Sequence, residues 1–177
     1  MMESTGIEFN RRGLLGALAA GGTALSLGAA GAAQAAQGPT PRAVHVYDAV
    51  ALLEETIPHG TTPYGERFRV PIIGGSFAGP DIKGRILPGG FDWQLKRLDG
   101  YLELVADYFI ETDDGVRIQV TNRGLVQTAG GTYAMTTPRF EAPMGKYGWL
   151  NQFIFAGSVA EGNDKVPSVH LSIFKLV

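Results

Sequence analysis

Residues 74–93 read GGSFAGPDIKGRILPGGFDW, and the punctuation of this stretch decides the fold. Six glycines and two prolines separate short apolar pieces carried by Phe77, Ile82, Ile86 and Leu87. Glycine serves where a backbone turns sharply or meets another chain closely. At this density it excludes a helix and predicts short, bent strands. Ile82, Gly84 and Ile86 share one side of an extended chain, opposite Lys83 and Arg85, and Leu87-Pro88-Gly89-Gly90 is a turn. No GxGxxG opens a helix and no GK[ST] follows, so the glycines do not form a phosphate loop. The stretch is expected to build one wall of a β-barrel and to deliver Asp92 or Trp93 to its mouth.

Downstream, residues 92–98 form a short strand with Trp93, Leu95 and Arg97 on one side. Asp99-Gly100 is a two-residue hairpin signal. Residues 101–112 are a strand with apolar side chains on both faces, and Asp113-Asp114-Gly115 turns the chain again. Val116, Ile118 and Val120 then alternate with Arg117, Gln119 and Thr121, which completes a three-stranded meander. A connection over 124–131, a strand over 132–141, a loop over 142–148, a doubly apolar strand over 149–159 and a last strand over 168–177 follow. Upstream, Phe68, Val70 and Ile72 alternate with Arg67 and Arg69 in a strand over 66–73, where Pro71 suits an edge or a bulge. Residues 58–64 read as a loop and 43–57 as a strand, since Val and Tyr dominate its first half, although AVALLEE could also form a helical turn. About nine short strands with no βαβ spacing make the chain all-β, a barrel or sandwich. A single antiparallel β-barrel of about eight to nine strands has an interior that can hold one small ligand.

The 177 residues leave room for one domain, and no cysteine is present. Disulfides, Cys-ligated zinc and thiol nucleophiles are therefore excluded. A net charge of −2 with no basic block argues against nucleic acid as a partner. Asn10-Arg11-Arg12-Gly13-Leu14-Leu15 opens a run diluted by Gly and Ala that ends in Ala33-Gln34-Ala35. Residues 1–35 resemble a cleaved twin-arginine (Tat) signal, with Leu14 where Phe is common and Gly16 where Lys is common. Export to the periplasm or medium is expected, with a linker over 36–42, a barrel domain over 43–177 and no membrane contact after cleavage. An uncleaved anchor or an ordinary secretory signal would use the same residues.

The middle and end of the chain resemble the DUF3237 (UPF0311-like) family of uncharacterised bacterial proteins. The residues that carry the resemblance are Gly79-Pro80, Gly84, Leu87-Pro88-Gly89-Gly90, Asp92-Trp93-Gln94, Asp99-Gly100 and Asp107-Tyr108. Thr112-Asp113-Asp114-Gly115, Asn122-Arg123-Gly124, Thr137-Pro138-Arg139-Phe140-Glu141, Tyr147 and Trp149-Leu150-Asn151 continue it in order. The resemblance implies a compact antiparallel barrel of the calycin type and no agreed activity. The export signal and the short 124–132 connection depart from many relatives.

Asp92 and Asp107 are the candidate catalytic residues, because a carboxyl at a pocket rim can transfer a proton. Asp92 could equally cap a turn, and Asp107, between Val105 and Phe109, could pair with Arg123 or Arg139 in the core. Trp93 could stack on an aromatic ligand. Arg139 could clamp a carboxylate through two bonds, or sit in a surface salt bridge. Asn122 and Asn151 could orient a ligand carbonyl or satisfy backbone groups. Tyr147 and Trp149 could form an aromatic lid or belong to the core. The three histidines have no metal-ligand spacing, so neither a metal nor a cofactor is expected. The reading is an exported barrel that binds a small apolar or aromatic molecule in its interior. The alternative is a cofactor-independent lyase, isomerase or cyclase that uses an Asp on a small carbonyl or phenolic compound. A third reading gives the apolar residues over 149–159 to a homo-oligomer interface.

Overall fold

In a computed structural model that describes residues 38, 40–162 and 165–177, alternating apolar side chains organise ten strands. These are β1 (Ala43–Leu53), β2 (Ile57–Thr62), β3 (Gly65–Ala78), β4 (Lys83–Ile86) and β5 (Gly90–Arg97). They continue with β6 (Tyr101–Thr112), β7 (Arg117–Gln127), β8 (Ala134–Glu141), β9 (Phe155–Glu161) and β10 (Ser168–Leu176). A single 3-10 turn, Gly148–Asn151, is the only helical element among the described residues. No helix there is long and apolar enough to cross a membrane. The signal reading of 1–35 and the first residues of the linker lie outside the described residues. Arg42, the last linker residue, already pairs its backbone with Val177.

The chain folds as an all-β, closed antiparallel barrel of eight strands with two extra strands. The order β1-β10-β9-β8-β7-β6 runs round most of the wall, and β3 closes it by pairing with β1. The gap between β6 and β3 is filled by two pieces laid end to end: β5 spans one half and β4 the other. The Leu87–Gly89 turn separates these pieces, so the glycine-rich stretch is one wall of the barrel. β2 adds to the outside of the first half of β3. Closure leaves the barrel without a free edge over most of its circumference.

Glycine is required where the wall is tightest. A Cβ on Gly75, at φ +137, would stand 2.0 Å from the Val50 carbonyl oxygen, and one on Gly84 would stand 2.1 Å from that of Glu111. Register shifts at Leu52/Leu53 of β1 mark the bulge in β3 that bends the sheet there.

Several sequence boundaries move. Residues 58–64, read as a loop, contribute the strand β2, because the second half of β3 turns to β1 and leaves the first half an open edge to pair. The strand expected over 149–159 starts only at Phe155: the chain first makes the 3-10 turn, and Phe153 and Ile154 stay exposed. The meander over β5, β6 and β7 is found as expected.

Large side chains fill one half of the interior. Tyr47, Phe77, Ile82, Ile86, Ile110, Ile118, Phe140, Phe155 and Ile173 are all buried in one cluster. Aromatic rings meet edge-on or tilted there, Phe140 with Phe155 at 4.8 Å and Tyr47 with Phe77 at 5.2 Å between centroids. Tyr147 and Leu150 plug that end. Tyr147 donates to Asp114 Oδ1 at 2.9 Å, and the same carboxylate accepts from Thr112 and Lys146. These donors hold its carboxyl well below the usual range, Lys146 first.

Candidate functional site

The other half of the barrel is hollow because its inward positions carry small or short side chains. Asp92 on β5 stands opposite Ala106 on β6, Ala106 opposite Asn122 on β7, and Asn122 opposite Pro138 on β8. Above this rung Leu102, Leu104, Val126 and Thr136 line the wall without filling it, and Ala51, Val159 and Val169 line it further round. The result is a cavity of about 450 Å³, whose lining includes the exposed Glu54, Thr56 and Glu161. That size is in the range of sites for small organic molecules.

Polar groups in this wall are few. Gln94 Nε2 donates to Asp92 Oδ2 at 2.7 Å, two residues along the same strand. Burial raises the Asp92 carboxyl above its ordinary value, against the lowering effects of Gln94 and the Val105 backbone. Tyr108, next inward on β6 after Ala106, shares a hydrogen bond with Tyr47. Burial raises both phenols, and the charge of Asp92 raises Tyr108 further, so both stay protonated. Three buried oxygens among the lining residues have no hydrogen-bond partner: Asp92 Oδ1, Asn122 Oδ1 and Thr136 Oγ1. An unsatisfied buried polar group costs about 1–3 kcal/mol, and three in one wall are a departure from ordinary core economy.

Of the site residues expected from sequence, Asp92 and Asn122 line the cavity. The others stand elsewhere. Trp93 points outward, 43% exposed, beside Phe91 and His59, with the Arg69 guanidinium 4.7 Å from the Phe91 ring. Alternation is the reason: Asp92 faces in, so its neighbour faces out. The same rule corrects Asp107. The inward set on β6 is even-numbered, from Leu102 to Thr112, and Asp107 is exposed on the outer face, accepting from Gln119 Nε2 at 2.9 Å. Neither Arg123 nor Arg139 is its partner; Arg139 is exposed on the outside of β8. Tyr147, Trp149 and Asn151 belong to the plugged end. Trp149 packs on Phe155, and Asn151 bonds both backbone groups of Ala142, at 2.8 and 2.9 Å. A second hollow of about 520 Å³ lies on the outer wall around Phe91, Trp93, Asp107, Phe109 and Arg117.

Sequence reasoning missed Gln94, Tyr108, Thr136, Glu54 and Glu161. The first was within reach, since an inward Asp92 places position 94 inward too. Among the described residues no three His, Asp or Glu side chains gather as metal ligands.

A family model described as a protein of unknown function (DUF3237) matches residues 41–176. A UPF0311 protein of Rhodopseudomonas palustris is 34% identical over 143 residues, covering 72% of this chain and 94% of its own. A crystal structure of a conserved protein of unknown function from the same organism superposes with a TM-score of 0.71 at 32% identity, over 79% of this chain and all (100%) of that one. A β-barrel-like protein of Acinetobacter baumannii gives a TM-score of 0.70 at 28% identity, over 81% of this chain and 100% of that one. More distantly, a protein of Penicillium herquei named a hydroalkoxylation enzyme is 31% identical over 93 residues, 52% of this chain and 57% of its own.

Proposed function

This chain belongs to the DUF3237 family, and on that premise we propose that its barrel binds a small, largely apolar or aromatic molecule in the hollow half and moves a proton on it with Asp92. The observation that carries the reading is Asp92 itself. It is a carboxyl in an apolar wall, raised by burial against the lowering effects of Gln94 and the Val105 backbone, with its Oδ1 buried and unpaired. A core does not gain from such a group, whereas a general acid or base needs its protonation balance moved toward neutral pH. Asp92 takes a proton from an O–H or acidic C–H of the bound molecule and returns it to another atom of the same molecule. No net proton and no redox partner enters the balance. The protonated Tyr108 and the Asn122 amide supply hydrogen bonds to an oxygen on which charge develops. This is the chemistry of a lyase, isomerase or cyclase acting on a small carbonyl or phenolic compound. The hydroalkoxylation enzyme among the more distant relatives supports a catalytic over a purely storage role.

Native mass spectrometry of protein purified from its own host tests the binding half. A retained small molecule is expected, and it is lost when Ala106→Phe fills the cavity. Proton nuclear magnetic resonance of that molecule in D2O tests the catalytic half. One C–H should exchange with wild type and not with Asp92→Asn; equal exchange with both variants removes Asp92 from the reaction. We further propose export by the twin-arginine route, for which a mature chain starting near residue 36 in the cell envelope is the expected finding. A cytoplasmic chain that keeps residues 1–35 would rule it out.

A further inference from the structure

We infer that the cavity selects a neutral molecule with a hydroxyl on an apolar or aromatic body, and rejects carboxylates of the same shape. This rests on the proposed binding function and names its ligand class. The charged residues that line the hollow are Glu54, Asp92 and Glu161, with no Lys, Arg or His among the described lining residues. Arg139, the sequence candidate for holding a carboxylate, is on the outer surface of β8. An anionic head group in the hollow would meet three lining carboxylates, Glu54, Asp92 and Glu161, and no lining cation, and like charges repel most strongly in apolar surroundings.

The unpaired oxygens point the same way. Asp92 Oδ1 and Asn122 Oδ1 lack partners, and an ionised carboxylate and an amide oxygen can only accept. Thr136 Oγ1, equally unpaired, can accept as well. What these three oxygens lack is a donor placed against them. A hydroxyl brings one, and its oxygen can accept from Tyr108 in return. An ether of the same skeleton brings none and leaves the buried acceptors unsatisfied, a loss that discriminates strongly in sites built to bond an O–H. The rest of the wall, from Val70 and Ile72 to Leu104 and Leu171, asks only for apolar surface.

Three probes of one shape decide this: 2-naphthol, 2-methoxynaphthalene and 2-naphthoate, titrated calorimetrically at pH 7 into the protein and into its Ala106→Phe variant. The expected result is naphthol binding at least tenfold more tightly than either of the others, with all binding abolished by Ala106→Phe. In the double variant Glu54→Gln, Glu161→Gln, naphthoate should gain at least threefold. Naphthoate binding as tightly as naphthol overturns the rejection of anions, and methoxynaphthalene binding as tightly overturns the need for a donor; either leaves the binding cavity standing. Failure of all three to bind, or binding that Ala106→Phe does not weaken, overturns the cavity reading itself and this inference with it.

Discussion

Gln94 donates a hydrogen bond to Asp92 across 2.7 Å, and both side chains belong to the wall of one cavity. The pair sets the protonation of the only carboxyl on the cavity's central rung. Burial pushes the carboxyl up, and Gln94 pulls it part of the way back. Removing the donor should therefore move a titration. In Gln94→Met, the acidic limb of the pH profile of ligand binding or turnover is expected to shift to higher pH. A role confined to packing would weaken binding equally at every pH and leave the limb in place.

Asp92 also weakens the fold that holds it. Its folded value is raised, so its stabilising contribution is complete below the ordinary carboxylate value and is lost as pH rises through the folded value. Above that folded value the ionised group is a net penalty. Asp92→Asn is expected to unfold a few degrees higher than wild type at pH 7, with the difference closing as pH falls below about 4, where both side chains are neutral. The same substitution should abolish proton exchange on the ligand. Thermal unfolding followed by circular dichroism at pH 3.5, 5 and 7 reads the first effect. A melting temperature below that of wild type at pH 7 would show that Asp92 is a structural acceptor instead.

Gly84 lies in the wall where β4 passes β6, and a methyl group there has no room. Its Cβ would be 2.1 Å from the Glu111 carbonyl oxygen and 2.8 Å from the Thr112 Cα, both backbone atoms of a paired strand. Gly84→Ala is expected to cost about 2–3 kcal/mol, at the upper end of overpacking penalties, because no side chain can yield. Chemical denaturation would show a lower midpoint with an unchanged slope. Ala at Gly130, where no atom lies within 4 Å, should cost less, through its φ of +68 alone.

Much of the fold was legible because it depends on local pattern. Asp99-Gly100 and Asp113-Asp114-Gly115 close hairpins whose strands pair in the expected order, and period-2 alternation correctly placed Val70, Ile72, Ile118 and Val120 in the core. The site was less legible because it depends on which parity of each strand faces in. β6 carries apolar residues on both faces, Phe109 outside and Tyr108 inside, so its composition does not say whether Asp107 or its neighbours meet the interior. Closure decides it, through pairing with β5 and β7, and closure is a long-range event. Tyr147, Trp149 and Asn151 lie away from the hollow half for a related reason. They are near the barrel, but at the end that Tyr47, Phe77 and Phe140 already fill. Sequence gives each strand's length but not which end of the barrel its small residues leave open.

Asn122 separates a binding wall from a merely imperfect core. Its side chain is buried, its Oδ1 is unpaired, and it stands opposite Ala106 on the rung that Asp92 begins. Leu has the same branched outline and no polar atom to desolvate, and the hollow beside it takes its larger volume. Asn122→Leu is expected to raise stability by about 1 kcal/mol, the low end of the penalty for an unsatisfied buried group, and to weaken binding of a hydroxylated ligand at least tenfold. Stabilisation together with lost binding is the signature of a residue kept for its ligand. Arg139→Ala and Trp93→Ala, both on the outer surface, should leave that binding within twofold of wild type. If Arg139→Ala weakens binding as much as Asn122→Leu does, the ligand sits on the outside of the barrel, and the hollow half is not its site.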